Sequence, residues 1–297
     1  MHISQLLSPE SQNVLREAIK DRKSTISKIK IEEIGSLGSI DFLNKHINNS
    51  LLIYPYVTAN NHKSSTSQRD LIENSIDKYS NAREVELSKK NLLYRVAKGD
   101  TLVINKLQKF DSKSEYVCDA FSELFSSKTN VNLYYSYKNT IGINVHFDYQ
   151  DTLVIQTHGT KKWKLFNGDK GKTSLPVGKN HKPNTEDKDE FLEVTTRVGD
   201  ILFIPKGVWH YASTINDSSI HLSLSLTPLK VNELIKHLLN NHLDELGEKD
   251  IYQLTKSDLI NELESVMEKL KNVEITDEIV SSIKKEVIPE KYTIELQ

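Results

Sequence analysis

Asn144-Val145-His146-Phe147-Asp148 is the stretch on which the reading of this chain turns. Ile141, Ile143, Val145 and Phe147 alternate with small or polar residues, the pattern of a β-strand. In a strand, residues two apart share a face, so His146 and Asp148 would stand side by side. Further on comes Gly199-Asp200-Ile201-Leu202-Phe203-Ile204-Pro205-Lys206-Gly207-Val208-Trp209-His210. It reads as a turn, an apolar strand, a Pro/Gly turn and a histidine opening another strand. That order can aim His210 back at the first strand. An isolated His-x-Asp pair is most often a surface or capping pair; with a distant histidine after two turns it acquires a third member. Two histidines and one carboxylate form the facial set that holds non-haem Fe(II) and leaves coordination positions open.

The totals fit a globular protein with such a centre. The chain has 297 residues, 37% hydrophobic and 27% charged, room for one large domain with appendages or for two. A net charge of −2 gives no electrostatic footprint for nucleic acid. The single cysteine, Cys118, excludes an intrachain disulfide and a cysteine-based zinc site. No apolar run approaches the roughly 20 residues of a membrane span, and the first residues lack the order of a signal peptide, so a cytoplasmic protein is expected.

Outward from the central stretch, strand signals run from Val131 to about Thr227, with turns at Asn139, Gly159, Gly199 and Gly207. Many short strands between turns predict an all-β sandwich or barrel. The polar stretch 168–189 reads as an insertion loop near its mouth. Upstream, Ser8-Pro9 and Ser39 predict helix starts. Leu51 to Tyr54 reads as a strand, Thr58 to Ser67 as a loop, and Leu71, Ile72, Ile76 and Tyr79 as a helix. Thr101 to Ile104 reads as a strand, followed by a helix carrying Val117, Ala120, Phe121, Leu124 and Phe125. After Pro228 the pattern turns helical: Leu234 and Leu238; Leu259, Leu263, Val266 and Leu270; Ile279, Ile283 and Val287. These stripes need the barrel or a second copy to cover them, and a homodimer is expected. The division expected is 1–98, an α/β region packing on the barrel; 99–228, the barrel; and 229–297, a helical dimerisation region.

Residues 132–227 resemble the JmjC branch of the cupin superfamily, closest to the ribosomal-oxygenase type of Fe(II)- and 2-oxoglutarate-dependent protein hydroxylases. The resemblance is carried by Asn132-Leu133-Tyr134, Gly142 and His146-x-Asp148. It continues through Leu153-Val154-Ile155-Gln156-Thr157-His158-Gly159-Thr160-Lys161-Lys162-Trp163, then Gly199 to His210 and His221-Leu222-Ser223. It implies a mainly β fold with flanking helices, a double-stranded β-helix (a jelly-roll barrel) plus a C-terminal helical region. It implies His146, Asp148 and His210 as ligands of Fe(II), with 2-oxoglutarate and O2 as cosubstrates. Lys161 is implied to bind the distal carboxylate of 2-oxoglutarate, helped by the Tyr134 hydroxyl. Lys162 would point the other way in a regular strand, and a register slip of one residue would exchange the two.

On β-alternation, His221 and Ser223 face either the barrel interior or water; the interior alternative places His221 near the cosubstrate. Trp163 and Trp209 read as core or rim aromatics, His158 as a turn residue. The ribosomal type usually ends in a helical dimerisation region and a winged-helix domain; this sequence stops after the helices. The implied activity is hydroxylation of a side chain in a protein or peptide. Demethylation, or the same chemistry on a free amino acid or small metabolite, stays open. The alternative of another class is a non-catalytic, metal-binding cupin module.

Overall fold

A computed structural model describes residues 2–49, 54–61, 68–76, 78–138, 142–166, 191–215, 217–242, 255–274, 279 and 282. The chain forms two compact units, Met1–Phe125 with Thr129–Thr227, and Ser126–Lys128 with Pro228–Gln297. The expected strand at Leu51–Ile53, the insertion loop 168–189 and the last helix at Ile283 and Val287 lie outside the described residues, as does the 62–67 part of the expected loop.

The described strands are β1 (Thr25–Lys28), β2 (Val57–Asn60), β3 (Ile72–Ile76), β4 (Arg83–Leu87), β5 (Thr101–Ile104) and β6 (Ser127–Ser136). They continue as β7 (Asp151–His158), β8 (Thr160–Phe166), β9 (Phe191–Arg197), β10 (Asp200–Ile204), β11 (His210–Thr214) and β12 (Ser219–Pro228). A seven-stranded sheet runs β1-β10-β7-β12-β6-β5-β2, a three-stranded one β11-β8-β9, and β3 pairs with β4 alone. The fold is mainly β with flanking helices: two facing sheets in a jelly-roll arrangement.

Period-two alternation explains how the large sheet is covered on both sides. Leu153 and Ile155 of β7, Ile201 and Phe203 of β10, and Leu222 and Leu224 of β12 share one apolar core with Leu15, Leu43 and Phe121. Those three residues sit on the helices Pro9–Asp21, Ile40–Ile47 and Ser112–Phe125. Ser8 and Ser39 start the first two of these helices by accepting the Ser11 and Phe42 N–H groups at 3.2 and 3.0 Å. The intervening residues Val154, Leu202 and Ile204 turn the other way and meet Trp163, Leu165 and Ala212 of the small sheet.

The sheets are also joined by a buried polar network. The Gln156 side-chain amide donates to the His158 carbonyl and the Ser219 hydroxyl, both at 2.8 Å. Its oxygen accepts from Thr196 on β9 at 3.0 Å, and Thr196 accepts the Trp163 indole N–H at 3.1 Å. The β7–β8 turn is tight at Gly159 (φ 65°), where a Cβ would collide with the Ser218 carbonyl.

Four expectations are corrected here. Leu71 to Tyr79 is not a helix: Leu71 ends a single turn, and Ile72–Ile76 pairs with β4, Asn74 opposite Val85. Ile72 and Ile76 are β-branched and stiff at χ1, which favours the pleated pairing. Thr58–Asn60 is strand, because it pairs with Thr101–Val103. The expected boundary at 98–99 falls inside one compact unit, since β1 and β2 are strands of the same sheet as β7 and β12.

The fourth correction concerns the central stretch. Among residues 144–148 only His146 makes a ladder contact, an isolated antiparallel bridge to His210. Their backbones exchange hydrogen bonds at 3.0 and 2.7 Å. That register would put residue 144 opposite Ala212, yet the Gly142 N–H reaches the Ala212 carbonyl. It would put Asp148 opposite Val208, yet the Gly207 N–H donates to the Asp148 carbonyl. Extra residues on both sides of the bridge break the ladder, as β-bulges do, and re-aim the side chains.

Candidate active site

His146 and His210 are brought together by that one bridge, their ring centroids 4.4 Å apart. Each imidazole is fixed by the same local device. The His146 Nδ1 lies 2.7 Å from the Asn144 carbonyl and the His210 Nδ1 2.9 Å from the Val208 carbonyl. A carbonyl only accepts, so each Nδ1 carries a proton and each Nε2 is the ring nitrogen left to face Asp148. Both Nε2 atoms face Asp148, at 4.0 Å from its Oδ1 and 3.7 Å from its Oδ2. The Thr152 hydroxyl donates to the same Oδ2 at 3.1 Å. Among the described residues this is the group whose ligand atoms all fall within 4.8 Å of one another. Burial first, then the neighbouring His146, holds the His210 pKa well below the ordinary histidine range, so it stays neutral. Two imidazoles and one carboxylate suit a divalent transition-metal ion.

The triad opens onto a cleft of about 510 Å³, its mouth included, lined also by Tyr134, Val154, Lys161, Trp163, Ala212 and His221. At the inner end stands Lys161, 2% exposed, donating to the Ser136 hydroxyl at 2.8 Å. Ser136 in turn lies 3.0 Å from the Thr101 hydroxyl. With no carboxylate among these partners, burial pushes the Lys161 pKa down to about 7. Lys162 faces outward and pairs with Glu193 at 2.5 Å.

Tyr134 stacks on His221, centroids 4.9 Å apart and planes 6° from parallel, and Trp163 meets His221 edge-on at 5.3 Å. Burial and then the Asp148 charge push the Tyr134 hydroxyl up to about 12, while a hydrogen bond from Asn132 works the other way. Asn132 is itself held, its oxygen accepting the Lys106 N–H at 2.9 Å. His221 is buried, its pKa held well below the ordinary range by burial and then by Lys161. The alternation of β12 is thereby settled: His221 and Ser223 line the cleft, not the solvent face.

Among the described residues three buried polar side-chain atoms have no partner: the His221 Nδ1, the Thr214 Oγ1 and the Trp209 Nε1. Thr214 is paired directly with Lys161 across β11 and β8, so the two side chains share a face. Thr214, Ser136 and Thr101 were not singled out from the sequence. Ser136 was within reach, two residues after Tyr134 on the same strand. Trp209 joins Phe166, Phe191 and Val145 in a small aromatic core beside the triad. His158 ends β7, its ring 3.3 Å from the Ser218 hydroxyl.

The chain is similar to known proteins in sequence and fold. Residues 104–234 match the family model of the JmjC domain, and residues 41–153 match a family of unknown function, DUF7272. The bifunctional lysine-specific demethylase and histidyl-hydroxylase NO66 of Culex quinquefasciatus is 28% identical over 190 residues, 55% of this chain and 29% of that protein. Its namesake from Dictyostelium discoideum is 28% identical over 145 residues, 48% of this chain and 28% of that protein. The chain thus spans under a third of the length of these curated relatives. Among solved structures, E. coli YcfD superposes with a TM-score of 0.52 at 13% identity, covering 99% of this chain and 75% of YcfD. The ribosomal oxygenase YcfD in complex with cobalt and 2-oxoglutarate gives 0.50 at 17% identity, covering 90% and 67%. At these identities the structural likeness shows the fold alone. Residues 104–234, which carry the triad, Lys161 and Tyr134, are similar to the JmjC domain.

Proposed function

We propose that this chain is an Fe(II)- and 2-oxoglutarate-dependent oxygenase that hydroxylates a side chain of a protein or peptide. The observation that carries the reading is the orientation of the triad: both histidines hold Nδ1 on a backbone carbonyl and present Nε2 to the space beside the Asp148 carboxylate. The residues fit the cofactors. The triad supplies two imidazole ligands and one carboxylate, and Lys161 supplies a buried amine donor for a dicarboxylate. When bound, Fe(II), 2-oxoglutarate and O2 together supply the oxidising power for C–H hydroxylation, with release of succinate and CO2.

The chain's own part is positioning. The Asn144 and Val208 carbonyls fix the imidazole tautomers, and the Thr152 hydroxyl orients Asp148. Lys161 pairs with the distal carboxylate, and the Tyr134 hydroxyl donates a second hydrogen bond. Val154, Trp163 and Ala212 form an apolar wall that excludes water from the cleft. The names of the relatives and of the YcfD complex support a protein substrate and this cosubstrate.

The same names favour a second reading on the same site, demethylation of a methylated lysine. We further infer a homodimer in the cytoplasm. The helix Lys256–Lys271 exposes Ile260, Leu263 and Met267 on one face, 46%, 63% and 57% accessible.

The test is succinate formation from 2-oxoglutarate with Fe(II) and air, followed by mass spectrometry of protein fractions with and without the enzyme. A gain of one oxygen atom on a protein fraction supports hydroxylation, and loss of a methyl group with release of formaldehyde supports demethylation. Absence of succinate formation by protein loaded with Fe(II) would favour the metal-binding module.

A further inference from the structure

One turn holds two of the three triad residues. At 205–208, the Gly207 N–H donates to the Asp148 carbonyl at 2.9 Å, and the Val208 carbonyl accepts from the His210 ring at 2.9 Å. Gly207 has φ 82°, a conformation in which a side chain would be strained, so the turn's shape is specified. The turn is anchored from outside the triad. The Lys206 N–H donates to Asp151 Oδ1 at 2.8 Å, and Arg22 Nη1 donates to Asp151 Oδ2 at 2.7 Å. Asp151 is buried, and it opens β7, an inner strand of the large sheet.

Arg22 is placed by a second unusual feature. It caps the helix Pro9–Asp21 in the left-handed region (φ 55°, ψ 38°), where glycine or asparagine is the usual occupant. A charged side chain there aims its guanidinium at a buried carboxylate on β7, which lies two strands from β1 in the sheet order.

We propose that Asp151 is a positioning residue for the His146–Asp148–His210 site, acting through the 205–208 turn, and that Arg22 holds it in that role. The proposal rests on the metal-centre reading above. Asp151 touches no ligand atom; it fixes the backbone from which Asp148 and His210 take their directions. Partners of this outer kind change metal affinity about 10–100-fold when removed.

The experiment is Co(II) titration of the full chain, followed by absorption, with the melting temperature of each variant recorded beside it. Asp148→Ala is the control for the reading: it should abolish binding at this site. If it binds Co(II) like the unaltered chain, the triad reading falls, and the positioning role with it. With that control passed, Asp151→Ala should weaken Co(II) binding by about tenfold or more. Asp151→Asn should return to within about threefold of the unaltered chain, because its amide oxygen still accepts the Lys206 N–H. Arg22→Ala should fall between them. A folded Asp151→Ala protein with unaltered Co(II) affinity would overturn the proposal, as would equal weakening in Asp151→Ala and Asp151→Asn. Should Asp151→Ala not fold, Arg22→Ala decides: unchanged affinity there overturns the positioning role.

Discussion

On β12, Leu222, Leu224 and Leu226 belong to the core shared with the helices, while His221 and Ser223, from the same strand, line the cleft. β7 divides likewise, Leu153 and Ile155 on one side and Thr152 and Val154 on the other. The outer face is apolar and close-packed. The inner face looks onto Lys161 of the facing sheet, buried beside hydroxyls, and among the described residues the His221 Nδ1 has no partner. An unsatisfied buried polar atom costs roughly 1–3 kcal/mol, and the apolar burial on the other face of the same strands offsets it. Stability and chemistry are therefore separable here residue by residue, at a spacing of one.

Substitutions on the two faces should consequently fail in different ways. Asp148→Ala should abolish iron binding and succinate formation while leaving the melting temperature near that of the unaltered chain; metal analysis and calorimetry check both. Turnover retained by that variant would end the assignment of the inner face. Phe203→Ala, on the outer face, should lose about 3–5 kcal/mol of stability in urea denaturation, with unchanged 2-oxoglutarate affinity in the fraction still folded.

Lys161→Ala should weaken 2-oxoglutarate binding by about thirty- to a hundred-and-fifty-fold, the loss of roughly 2–3 kcal/mol for a charge-assisted hydrogen bond. Tyr134→Phe should act in the same direction and less, since it removes a neutral donor. Titration calorimetry on the metal-loaded protein measures each.

A pH effect sharpens the same point. Lys161 in the free protein has its pKa lowered to about 7, and a bound carboxylate raises it again. Above pH 7 the free lysine is neutral, so binding must take up a proton, and affinity should fall by up to about tenfold per pH unit. Below pH 7 it should level off. Proton uptake in buffers of different ionisation enthalpy would show it, and a flat profile between pH 7 and 9 would count against it. Lys162→Ala, on the solvent face beside Glu193, should change 2-oxoglutarate affinity by less than about twofold.

The barrel was legible in its run of short strands and turns, and the Pro205/Gly207 turn did return His210 to His146. The family resemblance singled out Lys161; alternation along β8 added that Lys162 points the other way, and the structure buries Lys161 and turns Lys162 outward beside Glu193. What escaped was decided by pairing partners far away in sequence. The four-residue strand Thr25–Lys28 exists because it runs beside Asp200–Phe203. The segment 144–148 alternates like a strand, yet bulges on both sides of one bridge break it, and bulges leave no periodic trace. Arg22 and Asp151 meet across 129 positions, a contact no local pattern announces.

The Gln156 network determines which lysine the cleft receives. Thr196 stands opposite Lys161 and is claimed at once by Gln156, by Trp163 and by the Lys161 carbonyl. Sliding β8 by one position would unmake these bonds together, bury the Lys162 ammonium and expel Trp163 from between the sheets. An amide on one sheet thus excludes the alternative alignment of the other. A Gln156→Leu chain would keep its apolar core and lose the bonds that set which lysine faces the cleft.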